Sequence, residues 1–150
     1  MTTDITVRAL TQKDFADWRR LWSEYLSFYE TTVPQEVYET TFSRLLSDDP
    51  HEFQGRLAIN AEGKPVGLVH FLFHRHAWKV ENVCYLQDLF TDADHRRHGI
   101  ARRLIEHVYE EADAAGVPSV YWMTQEFNHS ARALYDKLAR LTPFIRYQRG

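Results

Sequence analysis

Leu89-Phe90-Thr91-Asp92-Ala93-Asp94-His95-Arg96-Arg97-His98-Gly99-Ile100-Ala101 joins the end of an apolar run to the start of an amphipathic one through a short polar loop. Asn82 to Phe90, before the loop, is a strand candidate. After the loop, from about Gly99 to Ala115, Ala101, Leu104, Ile105, Val108 and Ala112 recur at helical spacing and make one face. Gly116 caps that helix and Pro118 prevents it from continuing. A helix start leaves backbone N–H groups unpaired beside about half a positive charge, which suits a phosphate. Gly99 lets the backbone come close to a ligand, and Ala101 keeps the next turn small. Arg96, Arg97, Arg102 and Arg103, four of the 14 arginines, fall within eight residues and add charge around the rim. An ordinary strand-to-helix turn with a solvated basic face is the alternative reading. Neither the Gly-x4-Gly-Lys-Ser/Thr loop nor the Gly-x-Gly-x-x-Gly fingerprint is present.

Working outward, Ile5-Thr6-Val7-Arg8 alternates like a short strand. Thr11 is placed to cap a helix, with Asp14 as the capping-box acid. Phe15, Trp18, Leu21, Trp22, Tyr25 and Leu26 form the wide aromatic face of that helix. Pro34 suits the first turn of a second helix carrying Val37, Phe42, Leu45 and Leu46. Leu57-Ala58-Ile59 and Val66 to Phe73 flank Glu62-Gly63-Lys64-Pro65 and predict an antiparallel hairpin. Downstream, Val120 to Met123 predicts a strand, Asn128 to Leu138 a short helix, and Phe144 to Tyr147 a final strand. The order βααβββαβαβ predicts one mixed α/β domain over residues 1–150, a central twisted mixed sheet with helices on both faces.

Composition agrees with a single folded domain. The 150 residues are 44% hydrophobic and 26% charged, close to globular averages. No stretch approaches ~18 consecutive apolar residues, and Met1-Thr2-Thr3-Asp4 has no basic or apolar leader character, so a cytoplasmic protein without a membrane partner is expected. Cys84 is the lone cysteine, which excludes an internal disulfide framework. The net charge of −3 argues against a nucleic-acid partner, and so compact a basic spot fits one small anion better. His70, His74 and His76 share a strand parity, but positions i and i+4 lie ~13 Å apart, so no metal is expected there. The aromatic stripe ends near Tyr29-Glu30, where aromatic faces and a carboxylate would line a cleft for a cationic amine.

Two motifs carry a resemblance. Arg96-Arg97-His98-Gly99-Ile100-Ala101 is similar to the Arg/Gln-x-x-Gly-x-Gly/Ala signature of the GNAT superfamily of acyl-CoA-dependent N-acyltransferases. Asn128-His129-Ser130-Ala131-Arg132-Ala133-Leu134-Tyr135 matches its Asn-x-x-Ala-x-x-Leu-Tyr signature. The upstream Leu-x-Val-x-Pro of many members appears as Leu89-Phe90-Thr91-Asp92-Ala93, keeping only the leucine. Tyr85-Leu86-Gln87-Asp88-Leu89 resembles the histone and polyamine acetyltransferase subgroup, with Gln87 in place of a glutamate.

The resemblance implies an enzyme that binds acetyl-CoA between two splayed parallel strands, one ending at Phe90 and one at Val120–Gln125. Backbone groups of Leu89 and Thr91 would hold the pantetheine, an N–H near Leu89 or Phe90 would polarise the thioester, and Asn128 would bond the pantetheine arm. The pyrophosphate would sit on the N–H groups from Arg97 through His98, Gly99, Ile100 and Ala101 to Arg102. The reaction implied is direct attack by a primary amine of a polyamine, amino acid or lysine-like acceptor, with no metal. Tyr135 is the family-equivalent acid for the departing thiolate. Asp88 is the best-placed carboxylate for removing the amine proton, with Glu81 and Glu126 weaker; a buried structural Asp88, or one that binds the ammonium, stays open. A homodimer resembles the subgroup's habit, and a non-catalytic acyl-CoA sensor is the alternative function.

Overall fold

The runs flanking Glu62-Gly63-Lys64-Pro65 pair as predicted, and their hairpin is the spine of the sheet. In the computed structural model, which describes residues 4–96 and 98–150, β1 (Thr6–Ala9), β2 (Gln54–Ile59), β3 (Pro65–His74) and β4 (Val83–Thr91) are antiparallel neighbours in chain order. Asn60 closes the β2–β3 turn, its Oδ1 accepting the Glu62 and Lys64 N–H groups at 3.1 and 2.8 Å. The short β5 (Val120–Tyr121) joins the β4 edge in parallel.

Helices cover both faces, as expected. On one side α1 (Phe15–Phe28) and α2 (Gln35–Leu45) bury Trp18, Leu21, Trp22 and Phe42 against Leu57, Leu68 and Phe90. On the other, α3 (Ile100–Ala114) buries Leu104, Ile105 and Val108 against Val69, Phe71 and Leu86, and α4 (His129–Leu138) adds Leu134, Tyr135 and Leu138. Each fully buried side chain of this kind contributes about 2 kcal/mol by leaving water. Gly67 on β3 makes room for α3, since a Cβ there would lie 3.0 Å from both Ile100 Cγ2 and the Phe90 carbonyl oxygen. The predicted box at Thr11 is present: Asp14 accepts the Thr11 N–H at 2.7 Å and holds Arg8 of β1 at 2.8 and 2.9 Å, tying strand to helix.

Two expectations at the C-terminal end change. Pairing in the Val120–Met123 run stops at Tyr121. The strand expected at Phe144–Tyr147 is absent: residues 139–150 are irregular, and Phe144, Ile145 and Tyr147 are 78, 79 and 92% exposed. β-rich residues need a ladder to join, and among the described residues this segment has none. Among the described residues no helix is long and apolar enough to cross a membrane.

Candidate active site

β4 and β5 are in register at only two positions, Cys84 opposite Val120 and Tyr85 opposite Tyr121, with the Cys84 N–H on the Ser119 carbonyl at 2.9 Å. Past Tyr85 no pairing continues among the described residues, and a cleft opens along the β4 edge. Leu86, Gln87 and Leu89 form its floor, Trp122 and Met123 one wall, and Tyr25, Tyr29 and Tyr135 come in from α1 and α4. An unpaired strand edge of this kind offers backbone donors and acceptors to an extended ligand arm.

A bulge shapes that floor. His70 faces Asp88, but the next β3 residue, Phe71, faces Leu86, leaving Gln87 as one extra residue in β4. Strict alternation would put Leu86 and Asp88 on the same face. Instead Leu86 packs into the α3 core while Asp88, with Phe90, turns toward α1. Gln87 stays exposed and lines the cleft.

Asp88 is buried and both its oxygens are engaged. Oδ2 faces His70 Nδ1 at 2.8 Å, and Oδ1 accepts the Tyr25 hydroxyl at 2.7 Å. The Trp18 indole N–H donates to His70 Nε2 at 2.9 Å. An indole N–H can only donate, so the His70 proton sits on Nδ1 and is given to Asp88. Burial alone pushes the Asp88 carboxyl up, but the hydrogen bond from His70, helped by that from Tyr25, outweighs it and holds the carboxyl below its ordinary range. Asp88 therefore meets the cleft through Tyr25 rather than directly. Glu81 and Glu126 are exposed and do not line the cleft.

Tyr135 stands on α4 against Trp122, ring centroids 5.5 Å apart. Burial, with a smaller contribution from Tyr29, pushes its hydroxyl up to about 12, and no side-chain partner takes its proton among the described residues. Tyr29 lines the same cleft and packs on Tyr25 at 5.1 Å. Glu30 does not join it: it is exposed in the turn after α1, at a φ of 57°. Asn128 caps α4, Oδ1 accepting the Ala131 N–H at 3.4 Å, with Nδ2 3.5 Å from Thr124 Oγ1.

Beyond the cleft β4 ends at Thr91, and a short loop joins it to the N-terminus of α3 at Ile100. Among the described residues the first helical hydrogen bond there runs from Arg103 N–H to the Gly99 carbonyl at 3.0 Å, and the N–H groups of Ile100, Ala101 and Arg102 have no helical partner. Gly99 adopts φ 76°, and no atom lies within 4 Å of a Cβ built on it, so conformation rather than crowding by the protein demands glycine. The side chain of Ile100 is buried, leaving its backbone as the usable group. Arg96 folds back, Nε 3.4 Å from the Thr91 carbonyl and the guanidinium 5.7 Å from the Phe28 and Phe90 rings. Arg102 pairs with Glu106 at 3.3 Å, His98 is exposed, and Arg97 lies outside the described residues. This donor set fits a diphosphate lying on the helix end.

Residues the sequence did not single out for the site are Tyr25, Trp18 and the bulged Gln87. Tyr25 sat within a core-like stripe, and the only signal was a hydroxyl in an apolar pattern. Cys84 is fully buried, and burial with the nearby Glu111 charge pushes its thiol up to about 12, so it is no nucleophile at neutral pH. Among the described residues no group of His, Cys, Asp and Glu side chains is arranged to hold a metal ion.

Comparison with known proteins bears on the family and the fold. The Acetyltransferase (GNAT) family profile matches residues 16–139. The chain is 42% identical over 147 residues to the D-amino-acid N-acetyltransferase HPA3 of Saccharomyces cerevisiae, covering 97% of this chain and 91% of that protein. Over 73 residues, 49% of this chain and 45% of the other, it is 32% identical to the thialysine N-epsilon-acetyltransferase of Caenorhabditis elegans. The fold matches the aminoglycoside acetyltransferase AAC(6')-Iy, solved with a bisubstrate analogue, at a TM-score of 0.81 and 18% identity, covering 97% of each chain.

Proposed function

Because the chain belongs to the GNAT acetyltransferase family, we propose that it transfers an acetyl group from acetyl-CoA to the primary amine of a small acceptor, in the first instance a free amino acid. The observation that carries this reading is a cleft with Tyr135 on its wall, set on the open edge of β4, the strand that a short loop joins to the donor-rich start of α3. The similarity to a D-amino-acid acetyltransferase over nearly the whole chain favours an amino acid. So does Gln87: a cleft whose exposed floor residue is an amide, with Asp88 shielded, is poorly equipped for a polycation.

The N–H groups of Ile100, Ala101 and Arg102 would hold the diphosphate, with His98, Gly99 and the neighbouring arginines around it. The β4 edge at Leu89, Phe90 and Thr91, together with Asn128, would take the pantetheine arm. Acetyl-CoA supplies a thioester, an acyl group activated for attack by nitrogen. The neutral amine attacks the carbonyl carbon, the C–N bond forms, and the C–S bond breaks with its electron pair leaving on sulfur. Tyr135 gives its proton to that thiolate, and the one proton shed by the new amide nitrogen is passed through solvent to the tyrosinate, which restores Tyr135. With Cys84 buried and protonated, the transfer needs no acyl-enzyme. A homodimer is part of this proposal, supported by the exposed Phe144, Ile145 and Tyr147.

The deciding experiment is release of free CoA thiol from acetyl-CoA over a panel of D- and L-amino acids, polyamines and lysine derivatives. Thiol release with an amino acid supports the proposal. Acetyl-CoA binding without release for any amine would instead mean an acyl-CoA sensor.

A further inference from the structure

We infer that Tyr25 is the residue that receives the acceptor amine, and that Asp88 acts on the amine only through it. The inference deepens the acetyl-transfer reading and rests on it. Its basis is the direction of a chain of three hydrogen bonds. Trp18 can only donate, so His70 Nε2 accepts and Nδ1 donates to Asp88 Oδ2. Asp88, between two donors, accepts the Tyr25 proton on Oδ1 at 2.7 Å. The one proton of the Tyr25 hydroxyl is thereby committed to the interior, and what remains on that oxygen for the cleft is lone pairs.

Tyr135 has the opposite polarity. It lines the same cleft, and no side chain among the described residues holds its proton. One tyrosine is thus an oriented acceptor and the other an available donor. An amine N–H needs an acceptor to aim its lone pair at the thioester, and the leaving thiolate needs a donor. Tyr25 matches the first requirement and Tyr135 the second.

Asp88 is a poor terminus for the proton. Protonating it would break one of the two bonds it accepts. It keeps its charge, polarises the Tyr25 oxygen, and makes that oxygen a better acceptor than an ordinary phenol. The amine proton leaves to solvent before attack, and the neutral amine then rests one N–H on Tyr25. Because the carboxylate is hidden behind one hydroxyl, the arrangement reads a single nitrogen and offers no open anion to a second ammonium group. That is the recognition expected for an α-amine.

The test compares wild type, Tyr25→Phe and Asp88→Asn in steady-state kinetics against both substrates, with calorimetric acetyl-CoA binding as the check on folding. Tyr25→Phe is expected to lower kcat/KM for the amine about 10- to 100-fold, mostly through KM, while KM for acetyl-CoA stays within about twofold. Asp88→Asn should lose as much although Tyr25 is intact. Its amide must turn an N–H toward one of two donors, so either the Tyr25 proton swings into the cleft or His70 loses its bond. The inference is overturned if Tyr25→Phe keeps the wild-type amine kcat/KM. It is equally overturned if either variant loses activity evenly for both substrates, as a merely structural role would give. A wild-type protein that binds acetyl-CoA but acetylates no amine overturns the acetyl-transfer reading, and this inference with it.

Discussion

His70 and Asp88 stand opposite each other on β3 and β4, both buried, with Nδ1 and Oδ2 2.8 Å apart. The extra residue at Gln87 puts them on one face, and Trp18 locks the imidazole from behind. Replacing His70 by leucine orphans two buried groups at once, the Trp18 N–H and one oxygen of a charged carboxylate. The expected loss is about 3–5 kcal/mol of folding stability, roughly a 10 °C fall in Tm for a domain of this size. Replacing both His70 and Asp88 by leucine should cost less than His70→Leu alone, because no charge is then left unpaired. Chemical denaturation of the three proteins checks the order.

The same carboxylate gives the acid limb of stability a definite sign. Asp88 is held below its ordinary range, and so is Asp14, chiefly by the Arg8 hydrogen bond. A carboxyl depressed in the folded state stabilises fully above its unfolded value, about 4, and that contribution is lost as pH falls through the folded value. Stability should therefore hold from neutrality down to about pH 4 and decline below it. Asp14→Asn should start lower and decline less steeply, with melting curves between about pH 2 and 6 as the measurement.

Tyr135→Phe removes the proton proposed for the thiolate but not the ring that packs on Trp122. The expected result is a fall in kcat of about 10²- to 10⁴-fold with acetyl-CoA affinity preserved. An acid works only while protonated, and the Tyr135 hydroxyl is pushed up to about 12. The wild-type rate should consequently show no alkaline decline from this group below about pH 11, where an ordinary tyrosine, near 10, would already have cost rate. A pH–rate profile under saturating substrates tests both statements.

Gly99→Ala forces a Cβ onto a residue at φ 76° with no clash to relieve. Backbone strain alone should cost about 1 kcal/mol of stability. If the turn relaxes toward negative φ, the N–H groups of Ile100 and Ala101 rotate off their common target. Acetyl-CoA affinity should then weaken by about tenfold, with pantetheine, which lacks the diphosphate, affected less. Calorimetry with acetyl-CoA and with pantetheine separates the two contributions.

What was legible in the sequence was local. The Thr11–Asp14 box, the Gly99 turn and the Gly116 stop each depend on residues within a few positions, and all are present. The helical faces followed from period, and the hairpin from two apolar runs around a turn tetrad. The face taken by Asp88 was not legible, since a single bulged residue reverses parity and the bulge is fixed by pairing with β3. Tyr25 was hidden for a similar reason: its ring obeys the core pattern, while the partner that gives its hydroxyl meaning lies 63 residues away. The Phe144–Tyr147 run has strand composition without a strand to join, a fact about pairing that composition does not encode.

Gln87 offers the sharpest test of acceptor choice. It is the exposed floor residue of the cleft, and Asp88 beside it is sealed by His70 and Tyr25. Gln87→Glu changes one amide for a carboxylate of the same size and adds the open negative charge that the native cleft lacks. A second ammonium group on the acceptor would then find a partner worth about 1 kcal/mol in so solvated a position, while an acceptor with a carboxylate would be repelled. The ratio of kcat/KM for a diamine to that for a neutral-side-chain amino acid should rise by about tenfold or more, the two changes acting in opposite directions. Raising the salt concentration should shrink that ratio change, because both effects are Coulombic. An unchanged ratio would place the acceptor's far end away from Gln87, and with it the α-amine orientation argued from this cleft.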